Sequence, residues 1–306
     1  MKVLVADKID PAGISYLQDA GCEVSVKLGL STAELVAEIP GYSALAVRSA
    51  VQVTRDIICA GTELKVIGRA GVGTDNIDKA AAAEHGIAVV NTPEANIVSA
   101  AEQTFALLLA CARNTAAANA SMHAGRWDRS QYTGIELFEK TLGIIGFGKI
   151  GALLAQRARA FGMTICAYDP YANPDHVTAN GATLLPSLDE LLAISDVISV
   201  HLPKTPETTG MIGAAQIALM KDNVILLNVA RGGIYDDAAL RTGLDSGKIW
   251  AAGIDVYDPE PPVDYPLLGC ERAVLTPHLG ASTFEAQVRA GVQVAQAIVD
   301  VLENLR

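Results

Sequence analysis

What this chain lacks narrows its function first. No run of apolar residues approaches the roughly 18 that a bilayer span needs, and the opening MKVLVADK is too short an apolar stretch for a secretory leader. Cysteine is sparse and scattered: Cys22, Cys59, Cys111, Cys166 and Cys270, with no C-x-x-C pair. That spacing excludes the common zinc and dithiol motifs. An odd number cannot close a full disulfide framework, so a reducing cytoplasm is the expected setting and no metal is expected. Positive charge is also short, with 23 Lys and Arg against 34 Asp and Glu and a net charge of −11. A nucleic-acid surface would be basic, so nucleic acid is not an expected partner, and neither is a membrane. An anionic small molecule would have to be met by a local cluster of arginines, because the field of the whole chain repels it.

What is present describes a folded protein of more than one core. Half of the residues are apolar and 19% are charged, which argues against disorder. A length of 306 residues exceeds what one core usually serves, so two domains are expected. The first ninety residues alternate short apolar runs (KVLVA, CEVSV, SALAV, LKVIG, IAVVN) with helical stretches, several closed by glycine. Strand and helix in alternation imply a parallel sheet with helices on both faces. Ser99 and Glu102 have capping-box spacing, and the apolar pattern after them predicts one long helix to Gly125. RWDRSQYTGIELFEK reads as a connector. From Thr141 the alternation restarts, with strands at TLGIIGF, MTICAYD, DVISVHLP, NVILLNVA, WAAGIDVY and AVLTPH. Further boxes stand at Ser187 with Glu190 and at Ser282 with Glu285, the latter opening a closing helix.

The stretch LGIIGFGKIG places Gly146, Gly148 and Gly151 at G-x-G-x-x-G spacing between an apolar strand and a helix. In that context the first glycine permits a tight turn, the second lets backbone approach a pyrophosphate, and the third lets helix and strand pack closely. The helix N-terminus offers free N–H groups to phosphate. Asp169 ends the next strand, about twenty residues on, where an acidic side chain binds ribose hydroxyls and repels a 2′-phosphate. NAD is therefore favoured over NADP. GRAGVGTDNID repeats part of the pattern, but Asn76 stands at its third position, so Gly71 and Gly73 are read as backbone able to present N–H groups to a substrate carboxylate. Arg231 in NVARGG, Glu260 in DPEPP and His278 in TPHLG each follow a buried strand, where ligands bind in open parallel sheets.

Together with VRSA, NTPEANIVSAAEQTFALLLA, AYDPY and ISVHLPKTPETTG, these stretches run from about residue 40 to 290. Over that span the chain resembles the D-isomer-specific 2-hydroxyacid dehydrogenases, most of all the members that oxidise 3-phospho-D-glycerate to 3-phosphohydroxypyruvate in the first step of serine formation. The resemblance implies a two-domain α/β fold: a Rossmann-type cofactor domain, residues 99–284, inserted into a flavodoxin-like substrate domain, residues 1–98 and 285–306. Both carry doubly wound parallel sheets.

It also implies roles, position by position. The substrate-orienting arginine falls on Arg231, the histidine-supporting carboxylate on Glu260 and the acid–base histidine on His278. NAD contacts fall on Val72, Lys149, Ile150, Asp169, Leu202, Pro203, Val229, Ala230, Asp255, Gly280 and Ala281, beside the three glycines, Arg231 and His278. A phosphorylated 2-hydroxy acid needs a second anion site, for which Arg48 and Arg69 are the candidates, with Ser49, Gly71 and Asn96 beside them. Neutral imidazole is a suitable base for the alcohol proton, and a carboxylate beside it stabilises its charged form. Arg231 grips the carboxylate and polarises the carbonyl oxygen, and domain closure would exclude water.

A homodimer or a dimer of dimers is expected through the cofactor domains, from the apolar helix after Ser99 and from Trp127. Two departures stand out. Val51 and Gln52 occupy positions where the phosphoglycerate enzymes often have threonine and lysine, and the chain stops at VLENLR, so control by serine through a further domain is not expected. Glyoxylate, hydroxypyruvate or D-lactate-type dehydrogenases are the alternative within the enzymes. An NAD(H)-sensing binding protein is the alternative outside them.

Overall fold

The structure is a computed structural model and describes residues 1–304. It divides into two compact units, one formed by Met1–Ile97 with the chain from Ala281 onward and the other by Val98–Gly280. The divisions fall slightly ahead of the 98/99 and 284/285 boundaries read from the sequence.

The smaller unit holds five parallel strands, β1 (Lys2–Val5), β2 (Glu23–Val26), β3 (Ala44–Val47), β4 (Val66–Arg69) and β5 (Ala88–Asn91), in the order β2-β1-β3-β4-β5. Between them lie α1 (Pro11–Asp19), α2 (Thr32–Glu38), α3 (Arg55–Ala60) and α4 (Lys79–Glu84). The strands form because short apolar runs such as ALAV are buried along their whole length, as a sheet covered on both faces requires. Leu4, Leu35, Leu45, Ile57 and Ile67 pack in the core of one face. Val3, Val5, Leu17 and Val66 pack in the other, joined by Val294 and Ile298 from the closing helix.

The larger unit opens with α5 (Ile97–Ala112), whose first residue belongs to the smaller unit, and α6 (Thr115–His123). Seven parallel strands follow, interleaved with helices: β6 (Thr141–Ile145), α7 (Lys149–Ala160), β7 (Thr164–Tyr168), α8 (Pro174–Ala179), β8 (Thr183–Leu184), α9 (Leu188–Ile194), β9 (Val197–Val200), α10 (Ala214–Leu219), β10 (Val224–Asn228), α11 (Asp237–Ser246), β11 (Ile249–Ile254) and β12 (Ala273–Leu275). Their order is β12-β11-β10-β9-β6-β7-β8. In each sheet the order reverses once, between β1 and β3 in the small unit and between β6 and β9 in the large one. At such a point the helices diverge to opposite faces and leave a crevice at the strand C-termini.

Three helix boundaries differ from expectation. The long helix is two, because Asn114 takes a left-handed conformation (φ 53°) and its amide donates to the carbonyl of Thr133. Asparagine tolerates that region better than most residues. Ser99 does not cap: α5 starts at Ile97, Ser99 is buried inside it, and Glu102 instead pairs with Arg157 at 2.8 Å. The final helix, α12 (Phe284–Glu303), is capped by Thr283 through the N–H of Ala286 rather than by Ser282. At Ser187 the side chain accepts from the N–H of Glu190, as its spacing predicts.

Helix α12 lies against α1 with backbone nearly touching backbone. A Cβ at Gly13 would overlap the carbonyl oxygen of Gly291. Gly13→Ala is therefore expected to destabilise the protein by about 1–3 kcal/mol, the usual cost of overpacking. Urea unfolding measures it, and a midpoint unchanged from wild type would show that the two helices separate freely.

Candidate functional site

Gly146 leaves β6 at φ 89°, a conformation that glycine adopts without strain. A Cβ there would meet the carbonyl oxygen of His201 at 2.6 Å and the side chain of Leu202 at 2.8 Å. The turn after β6 thus abuts the segment after β9, across the reversal point of the large sheet. Gly151 sits under the same turn, where a Cβ would be 2.9 Å from the carbonyl oxygen of Gly146 and 3.1 Å from Ile144. Gly148 is the N-cap of α7 and has open space where its Cβ would be. Lys149 and Ile150 form the first turn of that helix, whose N-cap supplies no side-chain acceptor. An open helix N-terminus of this length is suited to phosphate. Asp169, after β7, accepts from the N–H of Phe147 and from the N–H of Tyr171, both at 2.9 Å. Its carboxylate therefore braces the glycine turn, and each oxygen retains capacity for another donor.

The remaining groups of the large unit follow β10, β11 and β12. Asn228, 3% exposed at the end of β10, shapes the arginine turn. Its amide donates to the carbonyl of Arg231 (2.8 Å) and its carbonyl accepts from the N–H of Ala230 (3.0 Å). Gly232 brings this turn against the loop after β11, since a Cβ there would overlap the backbone of Tyr257. In that loop Glu260 accepts from the N–H of Tyr257 at 3.0 Å and pairs with Nδ1 of His278 at 2.7 Å. Lys204 pairs with Asp258 beside it.

His278 has φ 54°, a strained conformation for a residue other than glycine. The fully buried carboxylate of Asp255 opposes that strain. It accepts from the hydroxyl of Thr276 (2.5 Å) and from the N–H groups of Leu279 and Gly280 (2.8 Å each). The N–H of His278 donates to the Asp255 carbonyl at 2.8 Å. Gln103 of α5 donates to Thr276 at 3.1 Å and closes the network. Val229 packs beside Gly280. His201 bonds Ser199 through Nε2 at 2.8 Å. Part of the residue remains exposed, but burial of its ring pushes the pKa down to about 4 and keeps it neutral.

In the small unit Arg48 follows β3, and Asp7 after β1 accepts from the N–H groups of Arg48 and Ala50 at the reversal point of that sheet. Asn76 donates to the carbonyls of Arg48 and Val51, both at 2.7 Å. The residue that breaks the second glycine pattern is thus a clip on the arginine loop. Arg48, Gly71, Asn96 and Ala281 line one small cavity with Asp10 and Gln287. Arg69 ends β4 with its guanidinium against Gly71, the Val72 carbonyl accepts from Asn91 (2.5 Å), and Ser49 is exposed. Sequence reasoning missed Asn228, Thr276, Gln103 and Gln287. A polar residue closing the apolar run VILLN was the one local signal among them.

Comparison with known proteins identifies the class. Residues 105–280 match the D-isomer specific 2-hydroxyacid dehydrogenase, NAD binding domain, and the chain belongs to that family. The large unit is thus an NAD-binding domain, and the glycine turn with Asp169 fits that group. Among individual proteins, the chain is similar to D-3-phosphoglycerate dehydrogenase of Archaeoglobus fulgidus, 48% identical over all of this chain and 58% of that protein. It is likewise similar to D-3-phosphoglycerate dehydrogenase of Methanocaldococcus jannaschii, 50% identical over 99% of this chain and 58% of that one. The chain therefore spans a little over half the length of these relatives. A solved structure of a Thermus thermophilus protein matches with a TM-score of 0.90 and 36% identity, covering 99% of this chain and 97% of that one.

If Asp169 sits at the adenosine ribose, Asp169→Ala lowers the NAD-to-NADP ratio of kcat/KM by about tenfold or more, since an acceptor and a repulsive charge both vanish. The ratio separates this effect from general loosening of the turn. Steady-state kinetics with both cofactors measure it, and an unchanged ratio removes Asp169 from the ribose site.

Proposed function

We propose that the chain is an NAD-dependent D-2-hydroxyacid dehydrogenase that interconverts 3-phospho-D-glycerate and 3-phosphohydroxypyruvate, the first step of serine formation. The observation that carries the chemistry is the Glu260–His278 pair at 2.7 Å, held beside the Arg231 turn. NAD, when bound, supplies the hydride acceptor. His278 takes the proton of the substrate hydroxyl, and Glu260 at its Nδ1 fixes the ring and stabilises the imidazolium that forms. Arg231 orients the substrate carboxylate and polarises the carbonyl oxygen of the keto acid. Arg48 and Arg69, in a chain of net charge −11, are the groups offered to the phosphate.

His278→Ala is expected to leave NADH binding nearly intact and to lower turnover by about two to four orders of magnitude. Fluorescence titration with NADH and initial-rate kinetics give the two readings, and near-normal turnover by a folded variant would contradict the role. NADH binding without turnover of any 2-oxo acid by the wild-type protein would favour a sensor instead.

For the substrate, Arg48→Ala or Arg69→Ala is expected to raise KM for 3-phosphohydroxypyruvate about tenfold or more. KM for hydroxypyruvate should change much less. Equal losses with both would assign the arginines to the carboxylate or to the fold, and a general 2-oxo-acid reductase would be the better description.

The assembly we propose is a homodimer through the large unit, or a dimer of such dimers. Trp127 (78% exposed), Met122 and Phe138 are large apolar side chains left at its surface, and anchors of this kind suit a permanent interface. Light scattering at micromolar concentration is expected to give at least twice the monomer mass. A monomer alone would refute the assembly.

A further inference from the structure

The cavity lined by Arg48, Gly71 and Asn96 has one wall from α12, which the proposed chemistry does not use. We propose that Arg289 of α12 is a positioning residue that sets Asn96 for the substrate anion, with Gln287 of the same helix as a further hydrogen-bonding group on the cavity. This inference rests on the reading of that cavity as a substrate site.

Asn96 lies in the short turn 92–96 that joins β5 to α5, and the backbone ties of this turn are few. The N–H of Thr92 donates to the carbonyl of Gly71 at 3.0 Å, and the N–H of Ala95 donates back to Thr92 at 3.3 Å. The carbonyl of Ala95, a residue 1% exposed, accepts from Nε of Arg289 at 2.9 Å. Without that donor a buried carbonyl next to Asn96 would go unmet, and the turn would shift to find water. The same turn carries two side-chain oxygens shut away from water without a hydrogen-bond partner, Oγ1 of Thr92 and Oδ1 of Asn96. Asn96 shares its cavity with Arg48, and the amide N–H groups of the one and the guanidinium of the other are both donors suited to a substrate anion. Helix α12 can hold the turn firmly because its own depth is set at Gly291, where its backbone meets α1.

The test compares wild type, Asn96→Ala, Arg48→Ala, Arg289→Met, Arg289→Lys and the double variant Asn96→Ala with Arg289→Met. KM and kcat are measured for 3-phosphohydroxypyruvate, and NADH affinity by fluorescence. Arg289→Met keeps the apolar stem and loses the donor. Arg289→Lys keeps the charge but places a methylene where Nε stood. Both are expected to raise KM about tenfold, to change kcat less than that, and to leave NADH affinity unaltered. In the Asn96→Ala background Arg289→Met should add little, because the group it positions is gone. A wild-type KM in Arg289→Lys, or additive effects in the double variant, would overturn the inference. Should Arg289→Met fail to fold, Arg289→Lys alone decides. If Asn96→Ala and Arg48→Ala both leave KM unchanged, the substrate reading fails and takes this inference with it. If they raise KM and the Arg289 variants do not, only the positioning role fails.

Discussion

The buried carboxylate of Asp255 is the constraint on which the candidate site depends. A carboxylate without water must be surrounded by donors, and here the hydroxyl of Thr276 and the N–H groups of Leu279 and Gly280 supply them. Those donors fold the segment after β12 into one shape, and that shape places His278 in a left-handed conformation it would not choose alone. The imidazole then meets Glu260, whose other oxygen is fixed by the N–H of Tyr257. One unexposed acid thus converts a flexible strand exit into a rigid mount for an acid–base pair.

The two sheets repeat one solution at different scale. In each, the strand order reverses once, and the glycine turn and the Arg48 loop stand at that reversal, while Arg231, Glu260 and His278 follow β10, β11 and β12 toward one edge of the large sheet. In the large sheet the glycine turn meets the His201–Leu202 segment there, with Asp169 bracing the turn from the next strand. In the small sheet Asp7 anchors the loop that carries Arg48, and Asn76 clips it from the other side. Under the proposed function the net negative charge gives such local arginines their weight, because no broader positive field draws in an anion.

Much of this was legible in the sequence because buried parallel strands are short continuous apolar runs, and most of the runs are bounded by glycine, proline or polar residues that mark where they end. β8, Thr183–Leu184, is too short to leave such a signal. The break at Asn114 was hidden because alanine-rich sequence on both sides keeps its helical pattern. Arg231, Glu260 and His278 could be singled out because each follows a strand. Thr276, Asn228 and Gln103 could not, since their roles come from contacts made by folding: Gln103 and Thr276 are 173 residues apart. Asn76 looked like a failed glycine, and its use as a clip on the Arg48 loop is visible only in three dimensions.

The central claim is that this scaffold transfers hydride to and from a phosphorylated 2-hydroxy acid. Its most direct test is the NADH oxidation rate of the unmodified protein with 3-phosphohydroxypyruvate and, separately, with hydroxypyruvate. The two differ only in the phosphate. The account predicts turnover of the phosphorylated acid with a kcat/KM at least about tenfold higher, the worth of one charge-assisted contact. Equal kcat/KM for the two, or no turnover of either, would contradict it.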